Sequence, residues 1–125
     1  MRLWHEDLLD RLPRQQLLGQ HRECCALRGN GWMKKHATVD YVFAYSPYKL
    51  YQYHMKVIQE MKRRGYNNDP LWEDASYRGK SRDPHEQLDE IEWMTPIYKE
   101  HDQEYLIECI LNLQTKGIVC EKISR

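Results

Sequence analysis

The 125-residue sequence predicts an all-α fold: a compact single domain, residues 1–125, of three main helices with short helical or extended connections. Two observations carry this. Apolar residues recur at three- and four-residue steps in three separate stretches, and each stretch is bracketed by residues that start and stop helices. No internal repeat or low-complexity segment competes with them.

Pro13 suits a first helical turn, and Leu17, Leu18, His21, Cys24, Cys25 and Arg28 then form one stripe, ended by Gly29-Asn30-Gly31. "TVDYVFAY", Thr38 to Tyr45, is β-branched and aromatic enough for a strand, or equally for an extended connection crossing the core. A second helix is expected from Pro47 to Arg64, stopping at Gly65, with Leu50, His54, Val57, Ile58 and Met61 inward. Asn67 to Pro84 is turn-rich and reads as loop. Asp83-Pro84 and Thr95-Pro96 each read as an N-cap followed by a first-turn proline. They predict a short helix to Trp93 and a longer one to Lys116. Tyr98, Tyr105, Leu106, Cys109, Ile110 and Leu113 give the longer one its stripe, and Gly117 closes it.

Composition removes several functional classes. No run of 18 or more apolar residues occurs, and "MRLWHEDLL" lacks a basic flank and an apolar h-region, so neither a membrane span nor a secretory signal is expected and the compartment is read as cytoplasmic. Cys24, Cys25, Cys109 and Cys120 contain no Cys-x-x-Cys pair and read as buried thiols. The six histidines show no H-E-x-x-H or comparable spacing, which argues against a metal hydrolase and makes His54 a core histidine rather than a ligand. Formal net charge is zero but segregated: residues 1–66 hold 12 Lys/Arg against 6 Asp/Glu, and residues 67–125 hold 7 against 13. Such asymmetry fits a polyanion binder, or two halves that dock on each other. Lys49, Lys56 and Arg63 recur every seven residues, which places them within about 40° on one face of the second helix. That stripe faces either phosphates or solvent.

Within "PRQQLLGQHREC", Gly19 and Ala26 flank Glu23 by one turn on either side. On a helical wheel they lie opposite the apolar stripe, with Arg22 at the edge, and leave a hollow around the carboxylate. Glycine inside a helix costs up to about 1 kcal/mol relative to alanine, which asks for a reason such as close approach of a ligand. The plain alternative is a surface Glu in an ion pair.

"RQQLLGQHRE", Arg14 to Glu23, resembles the catalytic-helix segment R-Q-H-L-L-A-E-Y-R-E of the phage-type pyrimidine-dimer DNA glycosylases. "MRLW" is similar to that family's T-R-I-N start, "KKHA" at Lys34 to Ala37 to its R-K-H-V, and "EMKRRGY" at Glu60 to Tyr66 to its E-C-L-K-R-G-F. "YRGK" at Tyr77 to Lys80 is a weaker echo. The resemblance implies an all-α DNA repair enzyme with N-glycosylase and abasic-site lyase activity. It uses neither metal nor other cofactor, and acts on double-stranded DNA carrying a damaged base or an abasic site. It further implies that an N-terminal amine attacks the sugar C1′ to form an imine, and that Glu23 takes the role of the supporting glutamate. Arg22 matches the adjacent arginine on the DNA backbone, Arg28 the next one after a two-residue shift, and Arg2 the arginine after the nucleophile. Lys34, Lys35, Lys49, Lys56 and Arg63 complete the expected DNA-binding set.

The chain also departs from the family. A threonine is exposed there by methionine removal, whereas Arg2 is too bulky for that removal, so the amine expected in the nucleophile's place is that of Met1. The family's basic, aromatic C-terminal tail is replaced by "GIVCEKISR". Residue chemistry suits the roles independently: an α-amine has a pKa of about 7.7–8.0, so part of it is neutral and nucleophilic at physiological pH. Trp4, Trp32 and the tyrosines are available to stack on a displaced base or to fill the core. A non-catalytic DNA- or protein-binding module on the same scaffold is the alternative. The sequence leaves the oligomeric state open.

Overall fold

Pro13 and Gly29 bracket α1 (Arg14–Arg28). Leu17 N–H donates to Pro13 O, and Gly29 N–H reaches back to the carbonyls of Cys25 and Ala26. Gly29 answers a second demand: a Cβ there would stand 2.8 Å from Arg78 O, so two backbones meet where no side chain fits. α2 (Pro47–Arg63) is capped by Ser46, whose hydroxyl accepts from Tyr48 N–H, with Pro47 in the first turn. Gly65 leaves the helix at a φ of 83°, a left-handed conformation that glycine adopts without a Cβ penalty. α3 (Gln103–Thr115) starts at Asp102, which accepts from Tyr105 N–H. Short 3-10 helices cover Glu6–Arg11, Asp40–Ala44 and Pro70–Glu73. The computed structural model describes residues 2–29, 40–80 and 82–119, and among them the protein is all-α with no strand.

α1 packs along α2, and the Glu6–Arg11 turn lies against α2 as well. Leu17, Cys24 and Leu27 of α1 meet Leu50, Tyr53, Val57 and Met61 of α2 in one core, closed by Leu106, Cys109 and Leu113 of α3 and by Leu3, Leu8 and Leu12 before α1. Each fully buried leucine stabilises by roughly 1.5–3 kcal/mol, so this cluster is the main source of stability. The inward face expected for α2, Leu50, His54, Val57, Ile58 and Met61, is buried throughout. Among the described residues no helix is long and apolar enough to cross a membrane. Cys24 and Cys109 are buried free thiols, and Cys25 is half-buried.

Four expectations are corrected. Asp40–Ala44 is a 3-10 helix, not a strand or extended connection; it buries Val42 and turns Tyr41 toward Tyr98 and His101, and the described residues hold no partner strand to take its backbone groups. No helix follows Asp83-Pro84. That segment offers no buried side chain, only the half-buried His85, Leu88 and Ile91, and its carbonyls serve other elements, as when Gln52 Nε2 donates to Ile91 O at 2.7 Å. Thr95-Pro96 does not cap the last helix, because Ile97 N–H is already taken by Glu6 Oε1 at 2.7 Å and the helix is nucleated instead at Asp102. The buried face of α1 comprises Leu17, Gln20, Cys24, Leu27 and Arg28, while Leu18, His21 and Cys25 lie at its margin. The core side is therefore turned toward Gln20, and Glu23 sits at its edge, half-buried, rather than opposite it. Met1, Trp32, Lys34, Lys35 and Cys120 lie outside the described residues.

Candidate functional site

Residues 2–4 have no helix or strand to satisfy their backbone, and side chains from three helices do so instead. Gln20 of α1 donates through Nε2 to Arg2 O (3.1 Å) and accepts Trp4 N–H on Oε1 (2.7 Å). Tyr53 of α2 donates its hydroxyl to Trp4 O (2.6 Å), with Gln20 Oε1 also within 2.9 Å. Tyr105 of α3 donates to Leu3 O at 2.6 Å. Gln20 is 3 % exposed and Tyr53 wholly buried, so the bonds to Trp4 form away from water, where leaving one unmade costs about 1–3 kcal/mol.

Beside this segment opens a cavity of about 380 Å³ lined by Arg2, Trp4, Gln16, Gly19, Gln20, Glu23, Asn112 and Lys116. Glu23 gives it a distinctive charge. Among the described residues its Oε2 is buried and has no hydrogen-bond partner. Desolvating a carboxylate oxygen without a partner is unfavourable for folding, so this residue is held at the cavity at a cost that packing does not explain. The hollow expected around Glu23 therefore exists, but Gly19 walls it and Ala26 does not. At Gly19 the nearest atom to an added Cβ would be Arg22 Nη2 at 3.7 Å, so that wall is open by choice of residue, not by steric need.

The expected DNA-binding cations divide into two groups. Arg22 is exposed and makes no ion pair among the described residues. Arg2 edges the cavity, pairs with Glu108 at 3.0 Å and lies over the Trp4 and Tyr105 rings. Lys49, Lys56 and Arg63 share a face as their spacing requires, yet each already holds a partner within the chain, Arg63 while still exposed. Lys49 donates to Ile97 O at 2.7 Å, Lys56 meets the buried Glu6 carboxylate at 3.2 Å, and Arg63 pairs with Glu60. Arg28 is corrected outright as a phosphate contact: it is buried, and donates to the carbonyls of Trp72 (2.8 Å), Asp74 (2.7 Å) and Tyr77 (3.1 Å) while lying over the Tyr51 and Trp72 rings. Its role is to fasten the segment after α2 to α1.

Arg28 also decides what the nearby donor cluster can do. His21, Cys25 and His54 bring one donor atom each within 4.8 Å, a grouping spacing alone did not reveal because it joins an i, i+4 pair to a second helix. Arg28 Nη1 sits 3.0 Å from His54 Nδ1 and can only donate, so Nδ1 accepts, Nε2 carries the proton, and that proton faces His21 Nδ1 at 2.8 Å. A cation bound there would have to displace this proton beside a fixed guanidinium, against the usual arrangement in which a ligating histidine donates its other N–H. Burial, then Arg28 and His21, holds His54 well below the ordinary histidine range, and burial pushes the Cys25 thiol up to about 12. The cluster is thus a neutral hydrogen-bonded relay with a poor nucleophile at its end.

Gln16, Gln20, Asn112 and Lys116 were missed from sequence. The only signal for Gln20 was its place one turn before Glu23; a buried glutamine is invisible to hydropathy. The sequence model of one protein family, described as pyrimidine dimer DNA glycosylase, matches residues 1–74, a span that includes Arg2, Gly19, Gln20, Arg22 and Glu23. Searches of curated proteins and of solved structures find no match.

Proposed function

The chain belongs to the pyrimidine dimer DNA glycosylase family, and on that premise we propose that it is a DNA N-glycosylase and abasic-site lyase working through an imine on its N-terminal amine. Membership gives it a DNA repair role with DNA as substrate. The lesion side of that substrate is a damaged base or an abasic site in double-stranded DNA. In this reading the amine of Met1 attacks C1′, the bond to the base breaks and the base leaves with its electron pair. Ring opening then gives the imine. Removal of a C2′ proton expels the 3′ phosphate as the C3′–O bond breaks, and water hydrolyses the imine to return the amine. Glu23 supports positive charge at C1′ and takes part in proton transfer. Arg22, exposed and without an ion pair among the described residues, is the cation best placed to meet the DNA backbone, and Arg2 can join it only by giving up Glu108. The observation that carries the reading is the buried oxygen of Glu23, unpartnered among the described residues, in a cavity walled by Arg2, the neighbour of the proposed amine.

Borohydride trapping on DNA with one abasic site tests it, since only an imine becomes covalently fixed. The adduct is expected on Met1 by peptide mass analysis, with a rate that rises toward pH 8 as the amine loses its proton. One extra uncleaved N-terminal residue, or acetylation, should abolish trapping, because the reacting atoms must come within roughly 3–3.5 Å. An adduct on Lys34 or Lys35 would refute the Met1 assignment. Tight binding with no adduct would leave a non-catalytic DNA-binding module on the same scaffold.

A further inference from the structure

We infer that Gln20 is the positioning residue for the N-terminal amine, acting with Tyr53 by holding residues 2–4 at a fixed distance from Glu23. The inference rests on the reading above that this amine is the nucleophile. Its basis is the unusual placing of a wholly buried amide in the apolar face of α1. Gln20 occupies a core position where leucine would contribute more burial, and it spends both ends of its amide on one segment: Nε2 on Arg2 O, Oε1 on Trp4 N–H. These two partners fix the amide's orientation, since a flipped group would set donor against donor at Trp4 and acceptor against acceptor at Arg2. Tyr53, from α2, then ties Trp4 O to the same point. The segment is gripped on both sides of Leu3 by groups that have no freedom of their own.

The grip lies beside the chemistry. Gln20 is three residues before Glu23 on the same helix, and both line the cavity with Arg2. The helix backbone therefore links the point that holds residue 2 to the carboxylate rigidly, through less than one turn. A displacement of about 1 Å at a reacting atom costs on the order of 10²-fold in rate. Residue 1 is one peptide beyond the Arg2 carbonyl's own residue, so loss of the clamp is felt there directly.

The test compares Gln20→Leu, which keeps volume and loses every bond, with Tyr53→Phe, which loses one donor and keeps the ring in the core. Val57→Ala, a buried α2 position one turn from Tyr53 that makes none of the clamp's hydrogen bonds, serves as a control destabilised by cavity formation. Single-turnover borohydride trapping is measured at saturating abasic DNA, with the dissociation constant and melting temperature measured alongside. The expected result is a fall of about 10²-fold for Gln20→Leu and a smaller fall for Tyr53→Phe, with dissociation constants within about twofold of the native chain. The pH midpoint of trapping should be unchanged, because the amine itself is untouched. Val57→Ala should trap at the native rate. Native trapping by a folded Gln20→Leu chain overturns the inference, and so does an equal loss in Val57→Ala, which would make the effect one of stability. If Gln20→Leu does not fold, native-rate trapping by Tyr53→Phe overturns it. A native chain that never traps refutes the parent reading instead, and with it this one.

Discussion

Replacing Glu23 by glutamine keeps the shape of the side chain and removes its charge, and the structure gives opposite signs for the two effects. At about 4 Å and an effective dielectric constant of about 20, a carboxylate attracts a unit positive charge by about 4 kcal/mol. If only half a charge develops at C1′, the loss is about 2 kcal/mol, so cleavage at an abasic site should slow by between about 30-fold and 10³-fold. Stability should move the other way or not at all. Glu23 Oε2 is buried with no partner among the described residues, so neutralising it removes an uncompensated desolvated charge and breaks no bond there. DNA binding should persist or tighten, as one negative charge near the phosphates is lost. The assays are single-turnover cleavage of abasic DNA at saturating protein, binding to the same DNA, and thermal unfolding. A Glu23→Gln chain that turns over normally would refute the assignment. One that melts markedly lower would show that the carboxylate is held by structural bonds, contrary to the cavity geometry.

The remaining predictions concern charge and packing. His101 is held down at about 3, first by burial and then by the neighbouring His5, so the unfolded chain takes up its proton first as pH falls from an ordinary value near 6.5. The neutral ring's contribution is complete above that value and is lost as pH drops, about 2 kcal/mol by pH 5; melting temperature should fall over this range, and His101→Asn should flatten the slope. Arg22→Ala should reduce the dependence of log K on log salt by about one unit, whereas Lys49→Ala should leave it unchanged, because that ammonium is already bonded to Ile97 O. Equal slopes for the two would return Arg22 to solvent. Lys56→Met should destabilise by about 1–3 kcal/mol in thermal or denaturant unfolding, since it leaves a buried Glu6 carboxylate oxygen without its partner. Gly29→Ala should also destabilise, because its Cβ would press on the Arg78 carbonyl; an unchanged melting temperature would show that the two backbones separate freely.

Both ends of α1, the apolar stripe of α2 (though not its buried Tyr53 and Gln52) and the Gly65 and Gly117 stops were legible because they depend on local chemistry: proline in a first turn, left-handed glycine, and apolar spacing. What was illegible depended on tertiary demand. Gln20 is buried because residues 2–4 need partners, and that need turns the core face of α1 and carries Glu23 from the outside to the edge. Arg28 looked like a phosphate contact by its chemical type and its match to the family. It is consumed by three carbonyls up to 49 residues away in sequence, which no local pattern encodes. Asp83-Pro84 carried a sound start signal with no apolar stripe behind it, and a cap without a face to bury does not make a helix. The site itself was half legible: the Arg22–Glu23 pair and Gly19 stood out, whereas Asn112 and Lys116 reach the cavity only through the docking of the C-terminal part of the chain.

The four bonds that hold residues 2–4 all end on main-chain atoms: Arg2 O, Leu3 O, Trp4 N and Trp4 O. A grip of that kind is indifferent to the identity of what it holds, as a chuck is to the tool. Leu3 and Trp4 must still be apolar to fill the core, but nothing in the clamp reads the side chain ahead of them. On the function proposed above, a leading residue that supplies only an amine should therefore be exchangeable without rebuilding the site.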